Sequence, residues 1–464
     1  DHPKTLVACA ASLDMPALAL TDHDALYGAV RFAQAAREAG IQPVFGAELT
    51  LASGHHLTLL VKNERGWRNL CRIISRARQR APKGEALFPG EELARYCGGL
   101  IALSGCKRGE VAAALLAKDE ALARSAAQYY RDIFGAENFW IELQHHLLPD
   151  DTAFVHQQVA LAKKLGLGYV VTNNVHYASR ARQQLQDVLV CIRHLTNLTA
   201  AKYEGLLRPN SEFYLKSDRQ LAYLFSDYPE ALANTLLLAQ RCQFELRYGL
   251  QTLPRFPTPA DISPECYLSR LCRIALPECY ANPPAEVHRQ LKHELAIISR
   301  AGLANYFLIV WDIVRFAREQ KIRCQGRGSA ANSLVAYLLG ISPIDPLAHN
   351  LVFERFLSAE RQVVPDIDMD FQADRREEVI QYIYQRYGTD HAAMAATVIT
   401  FRRRSAIRDI GRALGIPAGL LVRGERLLDE DENDDDSAPV GLLRRLCEQI
   451  DRVPRHLGIH NGGM

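Results

Sequence analysis

The sequence lacks several features that would place the chain in a specialised class of protein. It contains no run of about 18 apolar residues, so it offers no candidate membrane span. It has no signal-like N-terminus, and its 11 cysteines include no Cys-x-x-Cys pair, which disfavours a secreted disulfide-rich protein and a zinc ribbon. No internal repeat is visible. We therefore expect a cytoplasmic protein with reduced cysteines and no membrane partner.

The length and composition indicate an ordinary globular protein with several domains. The chain has 464 residues, too many for one hydrophobic core, and about two to four domains are expected for this length. Its hydrophobic content of 48% and charged content of 23% lie within the range of globular proteins. Because the sequence opens on Asp1 and stops at Met464, we expect a fragment truncated at both ends.

The net charge of +2 conceals an uneven distribution of charge along the chain. Seven of the eight residues in 429–436 are acidic, which predicts a mobile acidic loop and leaves the remainder of the chain basic. Such a surface suits a polyanionic partner, although charge runs are more often simply solvated faces. The basic residues cluster at Arg402, Arg403, Arg404, Arg408 and Arg412.

Short apolar strands alternate with amphipathic helices over the first 225 or so residues. This alternation predicts a parallel sheet or barrel, in which functional side chains follow the strands. One expected helix spans 31–39 and is stopped by Gly40, and another spans 154–165. The clearest strand candidates are 17–20, 56–61, 100–103 and 167–172.

The second half of the chain has a different pattern. Residues 220–247 look helical, and three prolines within 252–259 predict an extended linker. Helices are expected at 288–302 and 306–320, followed by a glycine turn at 325–329 that starts a helix through Leu339. An aspartate-rich tract follows, then a helix over 375–387. From Thr397 the pattern is helical again.

Three aspartates alternate with apolar residues in the tract at 366–371. The period of two is that of a strand, so Asp366, Asp368 and Asp370 should share one face, where cations or bases must neutralise them. A calcium-binding loop with Glu377 in its twelfth place is one alternative, but Phe371 stands where that loop needs glycine. A solvent-exposed acidic edge strand is the other alternative.

The glycine turn upstream of the tract favours a site for phosphoryl transfer. Backbone N–H groups of such a turn bind phosphate, Arg327 can add positive charge, and Ser329 can add a hydrogen bond. A lone glycine turn is weak evidence, and this one lacks the lysine of a P-loop. Together with carboxylates that hold two Mg²⁺ ions, however, it supplies the groups that nucleotidyl transfer requires.

The ordered motifs of the second half resemble those of the C-family, the bacterial DNA polymerase III α-subunits. The resemblance implies a nucleotidyltransferase palm like that of polymerase beta, followed by a helical thumb. Gly328-Ser329-Ala330-Ala331-Asn332-Ser333 is similar to the error-prone, translesion branch, whereas the replicative branch usually has Gly-Ser-Gly-Ala-Gly-Ser. The motifs that carry it are Tyr306 to Asp312, Gln325 to Ser333, Phe353 to Phe356, Pro365 to Phe371, Thr400 to Arg412 and Arg455 to His460.

This resemblance assigns roles to individual residues. Asp366 and Asp368 match the metal-binding catalytic pair, with Mg²⁺ as the implied ion, and Asp370 is held in reserve. Arg327, Gly328 and Ser329 are the implied nucleotide-binding residues. The implied partners are primer–template DNA and dNTPs, with a sliding clamp and accessory mutagenesis proteins as further candidates. The third catalytic aspartate should lie beyond Met464, so we expect the fragment alone to be inactive.

Several histidines of the first half lie near the ends of expected strands. A single histidine is usually a surface or core residue, but several near strand ends in one α/β unit favour a shared metal site. The candidate ligands are His23, Glu48, His55, His56, Cys106, His145, His146 and His176.

The motifs around these residues resemble those of the PHP (polymerase and histidinol phosphatase) domain of C-family polymerases. That family has a distorted seven-stranded β/α barrel with a trinuclear metal site, which implies Zn²⁺ or Mn²⁺. The first histidine motif should lie upstream of Asp1, and Asn174 stands where metal-binding members commonly have Asp. A metal-binding centre and a purely structural PHP domain therefore both remain open. The resemblance carries over His23, Glu48, His56, Cys106 and His176 as ligands.

We thus expect an α/β multidomain chain with four segments. They are a PHP domain at 1–225 that lacks its N-terminal strand, a helical linker region at 226–260, the first part of the palm at 261–397 and a thumb at 398–464. The expected function is an error-prone, DNA-directed DNA polymerase. The alternatives are a replicative polymerase III α-subunit, a PHP-type phosphoesterase or exonuclease, and a non-catalytic scaffold.

Overall fold

The computed structural model describes residues 1–82, 84–247, 254–259, 261–357, 366–422, 439–460 and 462–464. The acidic run at 429–436 lies outside the described residues, as do the first two residues of the proline-rich segment 252–259. The chain divides into two compact units. The first comprises Asp1–Arg247 and Ile399–His456, and the second comprises Tyr248–Val398 and Leu457–Met464.

A six-stranded curled sheet organises the first unit, with its strands in sequence order. β1 and β2 run parallel, and so do β4, β5 and β6, whereas β3 is antiparallel to both of its neighbours. All residues of β3 are buried, including the polar His56 and Thr58. The strands are β1 (Ala17–His23), β2 (Gln42–Thr50), β3 (His56–Val61), β4 (Leu100–Leu103), β5 (Phe139–Leu143) and β6 (Gly168–Val171).

Eleven helices lie in Asp1–Arg247 among the described residues. The helix that ends at Ala39 is followed by Gly40 with a φ of +68°, a left-handed conformation that glycine adopts without strain. The helices are α1 (Pro3–Ser12), α2 (Ala29–Ala39), α3 (Glu64–Arg80), α4 (Leu93–Tyr96), α5 (Glu110–Leu116), α6 (Glu120–Phe134), α7 (Asp151–Leu165), α8 (Gln183–His194), α9 (Leu198–Tyr203), α10 (Asp218–Leu224) and α11 (Pro229–Arg241). Short 3₁₀ segments occur at Gly90–Glu92 and Arg180–Arg182.

The second unit is largely helical and contains one antiparallel strand pair. Its core is formed by apolar residues of the first four helices together with Phe353, Phe356 and Leu357. The elements are α12 (Pro264–Cys279), α13 (Ala285–Arg300), α14 (Ala304–Glu319), β7 (Cys324–Arg327), α15 (Leu334–Leu338), β8 (Asp368–Phe371) and α16 (Arg376–Tyr387), with 3₁₀ segments at Gly328–Asn332 and Phe353–Arg355.

The remaining elements lie near the C-terminal end of the described chain. Two strands, β9 (Ala396–Thr400) and β10 (Pro454–Ile459), pair as a two-stranded sheet. Between them come α17 (Arg403–Ala413), α18 (Ala418–Leu421) and α19 (Pro439–Ile450). Apolar residues of α17 and α19 share a core with α8 and α9 in the first unit.

In the part of the chain that the structure describes, no single helix is both long and apolar enough to cross a membrane. The pair α13 and α14 meets that test only jointly and is bent by 113°.

Most of the expected elements are confirmed, with four exceptions. The helical pattern expected over 220–247 consists of α10 and α11 with a break between them, and residues 242–247 are not helical. β3 and β4 have the predicted bounds, but β3 runs against its neighbours where a parallel sheet was expected. The helix predicted to start at the glycine turn begins at Leu334, because a 3₁₀ segment and an extended Ser333 come first. The region after Thr397 begins with β9 rather than with a helix.

Candidate functional site

The direction of each strand brings the predicted ligands of the first half to one edge of the sheet. His23 ends β1 and is in register with Glu48 near the end of β2. Because β3 is antiparallel, its first residue, His56, lies at the edge where β2 ends. β4 reverses direction again, so Cys106 follows it at this edge, and His176 follows β6.

Three of these side chains converge on one point. The Nδ1 atoms of His23 and His56 lie 3.0 and 2.6 Å from Glu48 Oε1. One ligand atom from each residue lies within 4.8 Å of the others, a spacing that can hold a metal ion. His56 and Glu48 are buried, whereas His23 is about half exposed, since 46% of its side chain is accessible. The cluster is therefore open to solvent on the His23 side.

The charge state of Glu48 follows from its neighbours. Burial alone would raise its pKa, but the contacts with His23 and His56 outweigh burial and hold the pKa of this carboxyl well below its usual range. The same contact with Glu48 raises the pKa of His23. The pair therefore consists of an ionised carboxylate and an imidazole that gains a proton more readily than usual.

The other two predicted ligands lie at the periphery of this cluster. Cys106 Sγ is 3.5 Å from His56 Nδ1, and burial, followed by the charge of Glu48, raises the pKa of its thiol to about 12. His176 stacks beside His23 with ring centroids 6.1 Å apart. Its Nε2 atom is 2.5 Å from Nη2 of Arg208, and burial together with this guanidinium lowers the pKa of His176 to about 3.

The remaining histidine candidates have partners of their own. His55 Nδ1 lies 3.2 Å from the carbonyl oxygen of Arg108. His145 Nε2 lies 3.0 Å from the hydroxyl of Thr152, and its Nδ1 accepts the backbone N–H of Leu147. The His146 ring stacks on Phe213, and its Nε2 lies 3.0 Å from a backbone carbonyl oxygen. Both ring nitrogens of His145 are therefore engaged, and among the described residues none of these three histidines joins the group formed by His23, Glu48 and His56.

Two charged residues at this edge were missed by the sequence reasoning. Arg208, on the loop after α9, lies near Cys106 and Glu48 as well as His176. Glu142, at the end of β5, is buried and accepts hydrogen bonds from the hydroxyls of Thr58 and Thr172. Burial raises its pKa. Glu142 follows the strand-end rule and could have been found that way, whereas no local pattern marks Arg208.

The cluster of His23, Glu48 and His56 fits a divalent cation. Glu48 Oε1 is buried and has no hydrogen bond of normal geometry among the described residues, although the Nδ1 atoms of His23 and His56 lie close to it. When those nitrogens are unprotonated, three lone pairs point to one place, and two histidines with a carboxylate form a common zinc ligand set. The positive charge of Arg208 lies beside His176 and disfavours the binding of a second cation there.

In the second unit, the aspartate tract and the glycine turn lie side by side. β7 and β8 pair antiparallel, with Arg327 opposite Asp368 and Gln325 opposite Asp370. The three aspartates are exposed and alternate with partly buried Ile367, Met369 and Phe371. The alternation is the one predicted, and because Asp368–Phe371 is a strand, a calcium loop is excluded.

Arg327 partly neutralises the carboxylates of this strand. Its Nε lies 3.3 Å from Asp370 Oδ1, and its Nη2 lies 3.9 Å from Asp368 Oδ2. All three side chains are more than half exposed, so these ion pairs are screened and exchangeable. The N–H of Ile367 donates to the hydroxyl of Tyr306, which ties the start of the tract to α14.

Two glycines of the turn lie close to neighbouring atoms. A Cβ atom at Gly326 would lie 2.7 Å from the carbonyl oxygen of Ile341, so no side chain fits there. Gly328 has a φ of +69°, and a Cβ atom at this position would lie 4.0 Å from Asp368 Oδ2. The backbone of the turn therefore lies directly beside a predicted metal ligand.

Comparisons with known proteins find a different family in each half of the chain. Residues 1–146 match the PHP domain, and residues 266–464 match the bacterial DNA polymerase III alpha NTPase domain. A solved structure of an amidohydrolase from Chromobacterium violaceum is similar to 37% of the chain, with 17% identity and a TM-score of 0.28. That similarity is too weak to carry an argument.

Curated relatives cover nearly the whole chain. An error-prone DNA polymerase of Symbiobacterium thermophilum is 42% identical over 99% of this chain and 45% of its own length. A second, from Pseudomonas aeruginosa, is 40% identical over 99% of the chain and 44% of its own length. The DNA polymerase III subunit alpha of Treponema pallidum is 39% identical over 92% of the chain and 38% of its own length. The chain thus spans less than half the length of these relatives.

Proposed function

We propose that the protein containing this chain is an error-prone, translesion DNA polymerase. The chain carries a PHP domain and a bacterial DNA polymerase III alpha NTPase domain, and it is a homologue of the error-prone DNA polymerases. Its substrates would be primer–template DNA and dNTPs. The observation that supports the proposal is the pairing of β7 with β8, which sets the glycine turn beside exposed carboxylates.

We assign the carboxylates of Asp366 and Asp368 to the binding of Mg²⁺. Bound Mg²⁺ ions would activate the primer 3′-hydroxyl and neutralise the triphosphate during in-line attack on the α-phosphorus, with pyrophosphate as the leaving group. Gly328 and Ser329 would offer backbone N–H groups and a hydroxyl to the triphosphate. The exposure of the aspartates leaves room for metal and nucleotide on their side of the strand.

Arg327 would bind the triphosphate once its present partners are metal-bound. The guanidinium is within reach of Asp368 and Asp370, so its flexible side chain lies beside the carboxylates that would attract the cations. When Mg²⁺ takes over the neutralisation of those carboxylates, the guanidinium becomes available to phosphate oxygens. Asp370 would then act as the resting partner of Arg327 rather than as a metal ligand.

A metal-dependent phosphoesterase or exonuclease in the PHP domain is the second candidate function. The convergence of His23, Glu48 and His56 supports it, with Zn²⁺ or Mn²⁺ as the ion and Cys106 as a fourth ligand. Arg208 beside His176 limits the centre to fewer ions than the family's three. A structural role of this site is the remaining alternative.

The domain limits, location and protein partners are proposals of the same kind. Residues 1–225 would form the PHP domain, 226–260 a linker region, 261–397 the first part of the palm and 398–464 a thumb. A cytoplasmic protein, a sliding clamp and accessory mutagenesis proteins suit an enzyme that copies damaged DNA.

Primer extension on undamaged and abasic templates tests the polymerase proposal. In the protein that contains this chain, Asp366→Asn or Asp368→Asn should lower the rate of dNTP incorporation by at least about 1000-fold, because each substitution removes an anionic metal ligand. Glu377→Gln removes an exposed carboxylate of α16 that is hydrogen-bonded to Gln381. This control should leave the rate of dNTP incorporation within about twofold of wild type. Full activity of both aspartate variants would overturn the assignment.

A further inference from the structure

Glu294 on α13 is a buried carboxylate for which the proposed chemistry has no use. Its side chain is fully buried, at 0% exposure, and burial raises its pKa. Buried carboxylates are kept only where their hydrogen bonds compensate for the loss of water. The contacts of Glu294 therefore indicate what it does.

The carboxylate of Glu294 binds the beginning of α15. Oε1 accepts the backbone N–H of Leu334 at 2.9 Å, and Oε2 accepts the N–H of Val335 at 3.1 Å. Oε2 also accepts the hydroxyl of Ser333 at 2.8 Å, while that hydroxyl accepts the N–H of Ala336 at 3.1 Å. The first N–H groups of α15 are thus all used within the protein. No backbone donor at this helix start is left for a nucleotide phosphate.

These contacts connect Glu294 to the end of the segment that follows the glycine turn. Ser333 is the residue that joins the 3₁₀ segment Gly328–Asn332 to α15. Within that segment, Ala330 and Ala331 are buried, and the N–H of Ser333 donates to the carbonyl oxygen of Ala330. The segment is therefore held by β7 at one end and by the hydrogen-bonded Ser333 at the other.

We propose that Glu294 is a positioning residue of the polymerase site, which holds the Gly328–Ser329 turn beside the carboxylate of Asp368. By binding Ser333 and the start of α15, its carboxylate fixes the C-terminal end of the 3₁₀ segment. The phosphates of a dNTP then meet a turn that is already in place, so less ordering is required on binding. This inference rests on the function proposed above.

Glu294→Gln tests the proposal with little change in volume. The glutamine keeps one acceptor oxygen but sets an NH₂ group against donors, so the anchor of Ser333 and α15 is lost. We expect the KM for dNTP to rise about tenfold, with kcat within about threefold, because the turn binds the nucleotide and does not carry the metal ions. Ser333→Ala should have the same signature, and the double variant should be no worse than either single one.

Val287→Ala is the matched control, since Val287 is a buried residue of the same helix that lies about two turns away from Glu294. It should lower stability with the KM unchanged. An unchanged KM in Glu294→Gln, or an equal rise in Val287→Ala, would overturn the proposal.

Hydrogen exchange separates this inference from the proposed function. In Glu294→Gln the amides of residues 329–336 should exchange at least about tenfold faster, whereas in Val287→Ala they should change no more than the rest of the unit. Failure of the wild-type protein to extend a primer would refute the polymerase proposal and leave this readout intact. Unchanged exchange at 329–336 in Glu294→Gln would refute the positioning role whatever the activity.

Discussion

Single residues of the PHP centre show what a sequence can and cannot specify. The strand-end rule picked out His23 and Glu48, and the structure places them in register on neighbouring strands. The rule could not separate His56 from His55, because that choice depends on which side chain of β3 faces Glu48. Arg208 comes from a loop distant in the chain, and only tertiary packing places it at His176.

Glu48 gives a prediction at the residue scale. Because its carboxylate is the anion on which both imidazoles converge, Glu48→Gln should weaken Zn²⁺ or Mn²⁺ binding to the chain by at least about tenfold, as measured by isothermal titration calorimetry. His55→Ala, which alters a neighbour bonded to the Arg108 carbonyl, should bind as the wild type does. Equal affinity of the wild type and Glu48→Gln would exclude a metal role for this cluster.

The β7–β8 pair shows which features of whole elements the sequence pattern predicts and which depend on tertiary contacts. The alternation of Asp366 to Phe371 was sufficient to predict the strand and its exposed acidic face. It was not sufficient to identify β7, because Cys324–Arg327 is short, carries glycine and has no alternating pattern. Its partner strand and the buried backbone of Ile341 define it, and both are distant in sequence. The predicted helix at Ser329 failed for a related reason, since Glu294 caps the helix later, at Leu334.

Gly326 supplies the prediction at the element scale. Its N–H donates to the Ile341 carbonyl oxygen at 2.6 Å, and a Cβ atom would lie 2.7 Å from that same oxygen. Gly326→Ala should therefore force β7 away from this contact and cost about 1–3 kcal/mol in the free energy of local opening, measured by hydrogen exchange in β7 and β8. Gly419→Ala has open space around the new methyl group and should leave exchange in β7 and β8 unchanged. Unaltered protection of β7 in Gly326→Ala would contradict the close packing of this strand.

For the whole molecule, the sequence predicted the fold class and the two domain families but not which segments pack together. The α/β character, the PHP and polymerase domains and the similarity to error-prone DNA polymerases are all supported by the comparisons. In the structure, however, Ile399–His456 is grouped with Asp1–Arg247, through a core that α17 and α19 share with α8 and α9. The sequence of an apolar helix face does not indicate which distant helix it packs against, so this grouping could not be predicted from one sequence.

The binding of Mn²⁺ in the presence of primer–template DNA and a non-hydrolysable dNTP tests the central claim most directly. Measured by electron paramagnetic resonance on the protein that contains this chain, wild type and Glu377→Gln should bind Mn²⁺ in a manner that depends on both DNA and nucleotide. Asp366→Asn and Asp368→Asn should each weaken that binding by at least about tenfold. Nucleotide-dependent Mn²⁺ binding of wild-type strength in both aspartate variants would contradict the account, because the catalytic metal ions would then be held elsewhere.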